Sequence, residues 1–178
     1  MTDALWTRHL TPRRTFALLA AWLGFQGVLG WMGGELHKDG AQGPPDLLFF
    51  ATPNALIERI GLMGEAGRAF YLRTFYVDWV YPVTYSLLFA SIVVLIGRRL
   101  GAERGAALIA PLFFVGALAD WSENLCFLAL MRGWPETPDA LVQAGCWFNQ
   151  IKWGSLVLAL VAGVGGLAAI GLRRARVQ

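Results

Sequence analysis

Four ionisable side chains interrupt stretches of sequence that are otherwise apolar: Asp78, Asp120, Glu123 and Lys152. Charge inside a hydrocarbon layer is expensive, so each of these groups needs a partner or a task. Helical spacing tells which can meet. Asp120, Glu123 and Asn124 stand at i, i+3 and i+4 and share one face, and Asn149, Lys152 and Trp153 repeat that interval. Asp78, Tyr81 and Tyr85 stand at i, i+3 and i+7, with Tyr71 seven residues before Asp78. Gln26 and Gln150 add further amides. Three carboxylates face one ammonium. One pair can form, which leaves two carboxylates needing protons, hydrogen bonds from Tyr or Asn, a metal, or Arg68 reaching in. Positioned carboxyl groups of this kind can move protons, with Glu123 or Asp120 as acid/base and Lys152 and Tyr81 stabilising charge. They can also hold a polar ligand, or simply fix helix register as polar glue.

Whatever the chemistry, three helices must present these stripes to one another. Of 178 residues, 56% are hydrophobic and 15% charged, with 8 Trp and 21 Gly. A soluble domain carries about a quarter charged residues. Together with a mean hydropathy of +0.50, this deficit points to a chain whose solvent is lipid. It excludes a soluble enzyme, a disordered tail and a nucleic-acid reader, despite a net charge of +3. Four apolar runs, about 16–36, 74–96, 106–131 and 147–172, each reach the roughly 20 residues a spanning helix needs. The expected fold is therefore all-α, a single domain over 1–178 with four transmembrane helices. The first run follows Arg13-Arg14 but ends without an A-x-A pattern, so it reads as a retained span rather than a signal peptide.

Basic residues cluster at the N-terminus (Arg8, Arg13, Arg14), in the second loop (Arg98, Arg99, Arg104) and at the C-terminus (Arg173, Arg174, Arg176). The positive-inside rule then places both termini and the second loop in the cytoplasm. The first loop begins with a break at Gly40 to Pro45. Thr52 and Pro53 follow as N-cap and first helical residue. Behind them Leu56, Ile57, Ile60 and Met63 form one stripe of a short amphipathic helix, about 53–66, on the outer side. It is expected to lid the polar site. At 1.5 Å per residue, Asp78 and Lys152 fall roughly 6–8 Å below the outer helix ends, Glu123 about 12 Å and Asp120 about 16 Å. The polar groups thus form a wedge entering from the outer face, and the purely apolar inner half disfavours a through-pore.

The runs Gly64-Glu-Ala-Gly67-Arg68-Ala-Phe-Tyr71-Leu72, Asp78-Trp-Val-Tyr81-Pro82-Val-Thr-Tyr85, Asp120-Trp-Ser-Glu123-Asn124 and Phe148-Asn-Gln-Ile-Lys152-Trp153 resemble a pattern. It is that of a group of small, uncharacterised four-span prokaryotic membrane proteins with GxxGRxxYL, DxxYPxxY, DxxEN and FxxxKW motifs. The resemblance covers about residues 53–172. It implies the four-span fold and an inner-membrane location, brings no activity with it, and implies that Arg68 and Tyr71 belong with the polar set.

Two functional readings stand beside the purely structural one. In the first, an outward-facing intramembrane site binds a lipid headgroup or small amphiphile. Arg68 and Lys152 take an anionic group, and Tyr71, Tyr85 and Trp153 the apolar part, with Asp78, Tyr81, Asn124 and Asn149 completing the site. In the second, Asp120 and Glu123 are acid/base residues of an enzyme acting on a lipid-like substrate. A divalent cation on Asp78, Asp120, Glu123 and Asn124 is a variant of either. No His joins the wedge to support it, since His9 and His37 fall at the membrane edges. The sequence names no cofactor: it has no Walker loop, GxGxxG, HExxH or GxSxG. Cys126 and Cys146 could pair if their side of the membrane is oxidising; two unpaired small hydrophobes is the favoured reading. Small residues in the first run (Gly27, Gly30, Gly33, Gly34) and the fourth (Ala159, Ala162, Gly163, Gly166) suit close helix packing, internal first and a homodimer seam second.

Overall fold

A computed structural model describes residues 5–38 and 43–175. The expected break at Gly40 to Pro45 lies partly outside the described residues, as does Arg176. Among the described residues every regular element is helical. α1 spans Pro12–Lys38, α2 Pro53–Leu62, α3 Gly64–Tyr71, α4 Phe75–Asp78, α5 Tyr81–Leu100, α6 Glu103–Ile109, α7 Leu112–Gly133 and α8 Asp139–Ala175. Short 3-10 turns cover Leu5–His9 and Pro45–Leu47. Three helical stretches are long and apolar enough to cross a membrane: Pro12–Leu36, Tyr81–Leu100 and Glu103–Gly133. α8 carries the fourth apolar run within one continuous helix of 37 residues.

Prolines and glycines explain where the helices depart from the expected bounds. The run expected from residue 74 is divided at Trp79–Val80, and the long helix starts only at Tyr81, with Pro82 in its first turn. Proline has no N–H to give to the preceding turn, so α4 and α5 do not merge. Trp121 Nε1 donates to the Trp79 carbonyl at 3.1 Å and holds this turn against α7. Ala110 and Pro111 likewise separate α6 from α7 within the third run. The amphipathic helix expected over 53–66 is two helices. Thr52 caps α2 as its sequence suggests, its Oγ1 accepting from the Ala55 N–H at 3.4 Å. The chain then turns at Gly64, whose φ of 62° belongs to the left-handed region. Leu56, Ile60 and Met63 of the stripe are buried.

α7 and α8 form the principal helix pair, with α5 against both and α1 resting chiefly on α5. Gly116 allows the pair to close: a Cβ there would collide with the Oγ and Cβ of Ser155. Two apolar clusters result. One gathers Leu36, Leu56, Ile60, Phe127, Leu130 and Cys146 at the end nearest the first loop. The other gathers Leu10, Ala90, Val94, Phe113 and Ala159 towards the arginine-rich end. There Arg98 donates to the carbonyls of Leu10 and Thr7 at 2.8 and 2.7 Å, fixing the N-terminal turn beside the end of α5. Large apolar side chains cover the outside, among them Phe16, Leu23 and Trp31 of α1, Leu118 and Leu125 of α7, and Leu160 and Val164 of α8. An exterior of that kind is what a helix bundle presents to acyl chains. Cys126 and Cys146 are both free and buried in the loop-end cluster.

Candidate functional site

Between the two apolar clusters each core helix carries its polar residues. From α7 come Asp120, Glu123 and Asn124, from α8 Asn149 and Lys152, and from α5 Tyr85; all are buried. Lys152 is the hub. Its Nζ contacts Glu123 Oε2, lies 3.6 Å from Asp120 Oδ1, and donates to the main-chain carbonyl of Asp46 at 3.2 Å. An ammonium has three N–H groups and no acceptor, and this one is ringed by two carboxylates and a carbonyl. Asn149 Nδ2 donates to Glu123 Oε1 at 2.8 Å, and Tyr85 Oη donates to Asp120 Oδ2 at 3.2 Å. Each oxygen of Glu123 and Asp120 thereby meets a donor or the ammonium. A buried ion pair is tolerable only with such supplementary bonds.

Asp46 was not among the residues expected at this site. It sits on the 3-10 turn Pro45–Leu47, and its Oδ1 accepts from Tyr71 Oη at 2.8 Å. Burial, with the negative charge of Asp46 behind it, holds the Tyr71 hydroxyl well above its ordinary pKa of 10.0, so it remains a donor. The segment after this turn docks on α8. The Ala51 N–H donates to Asn149 Oδ1 at 2.8 Å, Gln150 Nε2 donates to the Ala51 carbonyl at 3.3 Å, and Phe49 meets the Trp153 ring edge-on at 5.2 Å. The sequence signal was Leu47-Leu48-Phe49-Phe50, an apolar quartet too short to span and directly after Pro44-Pro45.

Beside this network lies a cavity of about 500 Å³. Asp46, Tyr71, Asp78, Asp120 and Lys152 face it with Tyr81 and Tyr85; Trp22, Leu29, Phe89, Trp153 and Leu156 supply the apolar wall. Tyr81 Oη donates to Gln26 Oε1 at 3.0 Å, tying α1 to the core across the cavity. Gly30, Gly33 and Gly34 also line it. A Cβ on Gly30 or Gly34 would meet nothing within 4 Å. Gly30 and Gly34 therefore hollow a wall of this cavity instead of seating a neighbouring helix of this chain. On α8 the small-residue expectation holds at Gly166, which lies against Ile96.

Several expected site residues do not face the cavity. Arg68 turns away, its Nη1 donating to the Ile60 carbonyl at 3.4 Å and its guanidinium stacked 5.0 Å from the Trp134 ring centre. Glu123 and Asn149 are wholly buried behind Lys152, and Asn124 is buried with its Oδ1 unpartnered among the described residues. From the first loop, Pro44, Asp46 and Leu47 line the cavity, whereas no residue of α2, the expected lid, does; α2 packs against α8. Depth changes as well. α8 starts at Asp139, so Lys152 lies about 20 Å along it, and Asp120 lies about 20 Å from the matching end of α7 at Gly133. The two charges share a level, whereas the expected bounds set them roughly 8–10 Å apart in depth. Among the described residues no group of three His, Cys, Asp or Glu side chains is arranged to hold a metal ion. Comparison with protein-family models, curated proteins and solved structures finds no match to this chain.

Proposed function

We propose that this chain is an integral protein of a bacterial inner membrane, crossing it four times with both termini in the cytoplasm. Its outward-facing intramembrane cavity binds a lipid-like amphiphile. The observation that carries the reading is the division of one cavity of about 500 Å³ into a carboxylate-rich end and a wall of Trp22, Leu29, Phe89 and Leu156. Volumes of 300–1,000 Å³ with few, convergent polar groups are typical of small-molecule sites. Water alone would not call for the apolar wall, nor an apolar tail for the charges. The three helical stretches long and apolar enough to cross a membrane support the membrane assignment, and the fourth apolar run in α8 supplies the fourth span.

Native mass spectrometry of the full-length protein, released gently from its membrane, tests this. An amphiphile is expected to remain with the wild-type chain and to be lost from Gly30→Trp. That change fills the cavity from a position where a Cβ meets open space. Equal retention by both proteins overturns the proposal.

A second reading is an acid/base enzyme acting on the bound amphiphile. Its support has moved from Glu123, which is sealed, to Asp120, which lines the cavity.

A further inference from the structure

The sign of charge in the cavity deepens that reading, on which this inference rests. Three carboxylates line the cavity, Asp46, Asp78 and Asp120, with Glu123 sealed behind, against the one ammonium of Lys152. Neither of the two cations expected to take an anionic headgroup is open to one. The ammonium of Lys152 is already ringed by Glu123, Asp120 and the Asp46 carbonyl, and Arg68 lies against Trp134. Of the carboxylates, Glu123 and Asp120 are held by Lys152, Asn149 and Tyr85, and Asp46 by Tyr71. Asp78 stands apart. It is 8% exposed and faces the cavity, yet among the described residues its carboxylate has no hydrogen-bond or ion-pair partner.

A carboxylate so deeply buried and so poorly partnered marks the place of a missing donor. The rings beside it suit the same occupant. Tyr81 and Tyr85 stand edge to face at 5.2 Å, and aromatic faces attract cations, most strongly where water is excluded. We infer that the amphiphile carries a cationic nitrogen headgroup, an amine or quaternary ammonium, seated between Asp78 and the Tyr81–Tyr85 pair. Its hydrocarbon part lies along Trp22, Phe89 and Leu156.

Four eight-carbon probes test the charge: octylamine, octyltrimethylammonium, octyl phosphate and octanol, each titrated into the full-length protein in maltoside micelles. The readout is the thermal unfolding midpoint, followed by tryptophan fluorescence. At least one of the two cationic probes is expected to raise the midpoint saturably, with octyl phosphate having no effect. Asp78→Asn is expected to weaken half-saturation about tenfold, and Asp78→Glu to recover part of it. Should Asp78→Asn fold poorly, as its ligand-free midpoint would reveal, Asp46→Asn supplies the second variant. It removes a charge but keeps the carbonyl that Lys152 uses, and it is expected to weaken the cationic probes selectively. Stabilisation by octyl phosphate, by octanol alone, or by cations whose effect survives in the Asp variants overturns the charge assignment and leaves the amphiphile reading standing. Silence of all four probes removes both.

Discussion

Lys152 is where a single substitution should speak most clearly. Its ammonium holds two carboxylates from α7 and a carbonyl from the first loop, all away from water. Removing one partner of a buried pair leaves the other uncompensated, at about 3–5 kcal/mol. Lys152→Met is therefore expected to lower stability by about that amount, measured by reversible unfolding in mixed micelles. Adding Glu123→Gln should return part of the loss, because the two residues act as a coupled pair. Strict additivity of the two changes would show that the network is not the unit described. Most of this hub was legible from spacing: the helical interval alone places Glu123 beside Asp120 and Lys152 beside Asn149. Asp46 was not, because a loop residue has no period and its side chain is brought in by a turn of two prolines. Arg68 was drawn into the set by resemblance, and the Trp134 ring that takes its guanidinium lies 66 residues further on, where no local pattern connects them.

At the scale of elements, the geometry of the site depends on how closely α7 and α8 approach. Gly116 faces Ser155 with no room for a methyl group, since a Cβ would lie 2.7 Å from the Ser155 Cβ. Gly116→Ala must push the helices apart one turn from Asp120 and Lys152. Overpacking of this kind costs about 1–3 kcal/mol, and Ser155→Gly in the same chain should recover most of it. Thermal unfolding of the single and double variants is the check, and an unaltered midpoint for Gly116→Ala would refute the close contact. Apolar run length identified the long helices because it reports the total burial a segment can support. It was blind to Pro82 and Pro111, which interrupt hydrogen bonding without lowering hydropathy. It was equally blind to Gly64, where one left-handed residue turns a continuous stripe into two helices. The start of α8 at Asp139 escaped for the converse reason: its first turns are too polar to count as membrane but continue the same helix.

For the whole molecule the decisive question is which end faces the cell interior. Arg13 and Arg14 open α1, Arg98 and Arg99 close α5, and Arg104 follows on α6. The bonds from Arg98 to Leu10 and Thr7 bring these groups to one end of the bundle. The opposite end carries the Gly133–Asp139 connection, where Glu136 and Asp139 face a single Arg132. Positive charge resists translocation, so the arginine end should remain inside and the cavity should open outward. Two reporters decide it in a chain whose buried cysteines are replaced by alanine. Cysteine at Glu136 is expected to react with a membrane-impermeant maleimide in intact spheroplasts, and cysteine at Gly105 only after lysis. Both positions are exposed on the protein surface, so a failure to label does not report burial within the protein. The reverse pattern would turn the cavity towards the cytoplasm, and labelling of both from outside would break the four-span arrangement, since these positions flank the third apolar run, about 106–131.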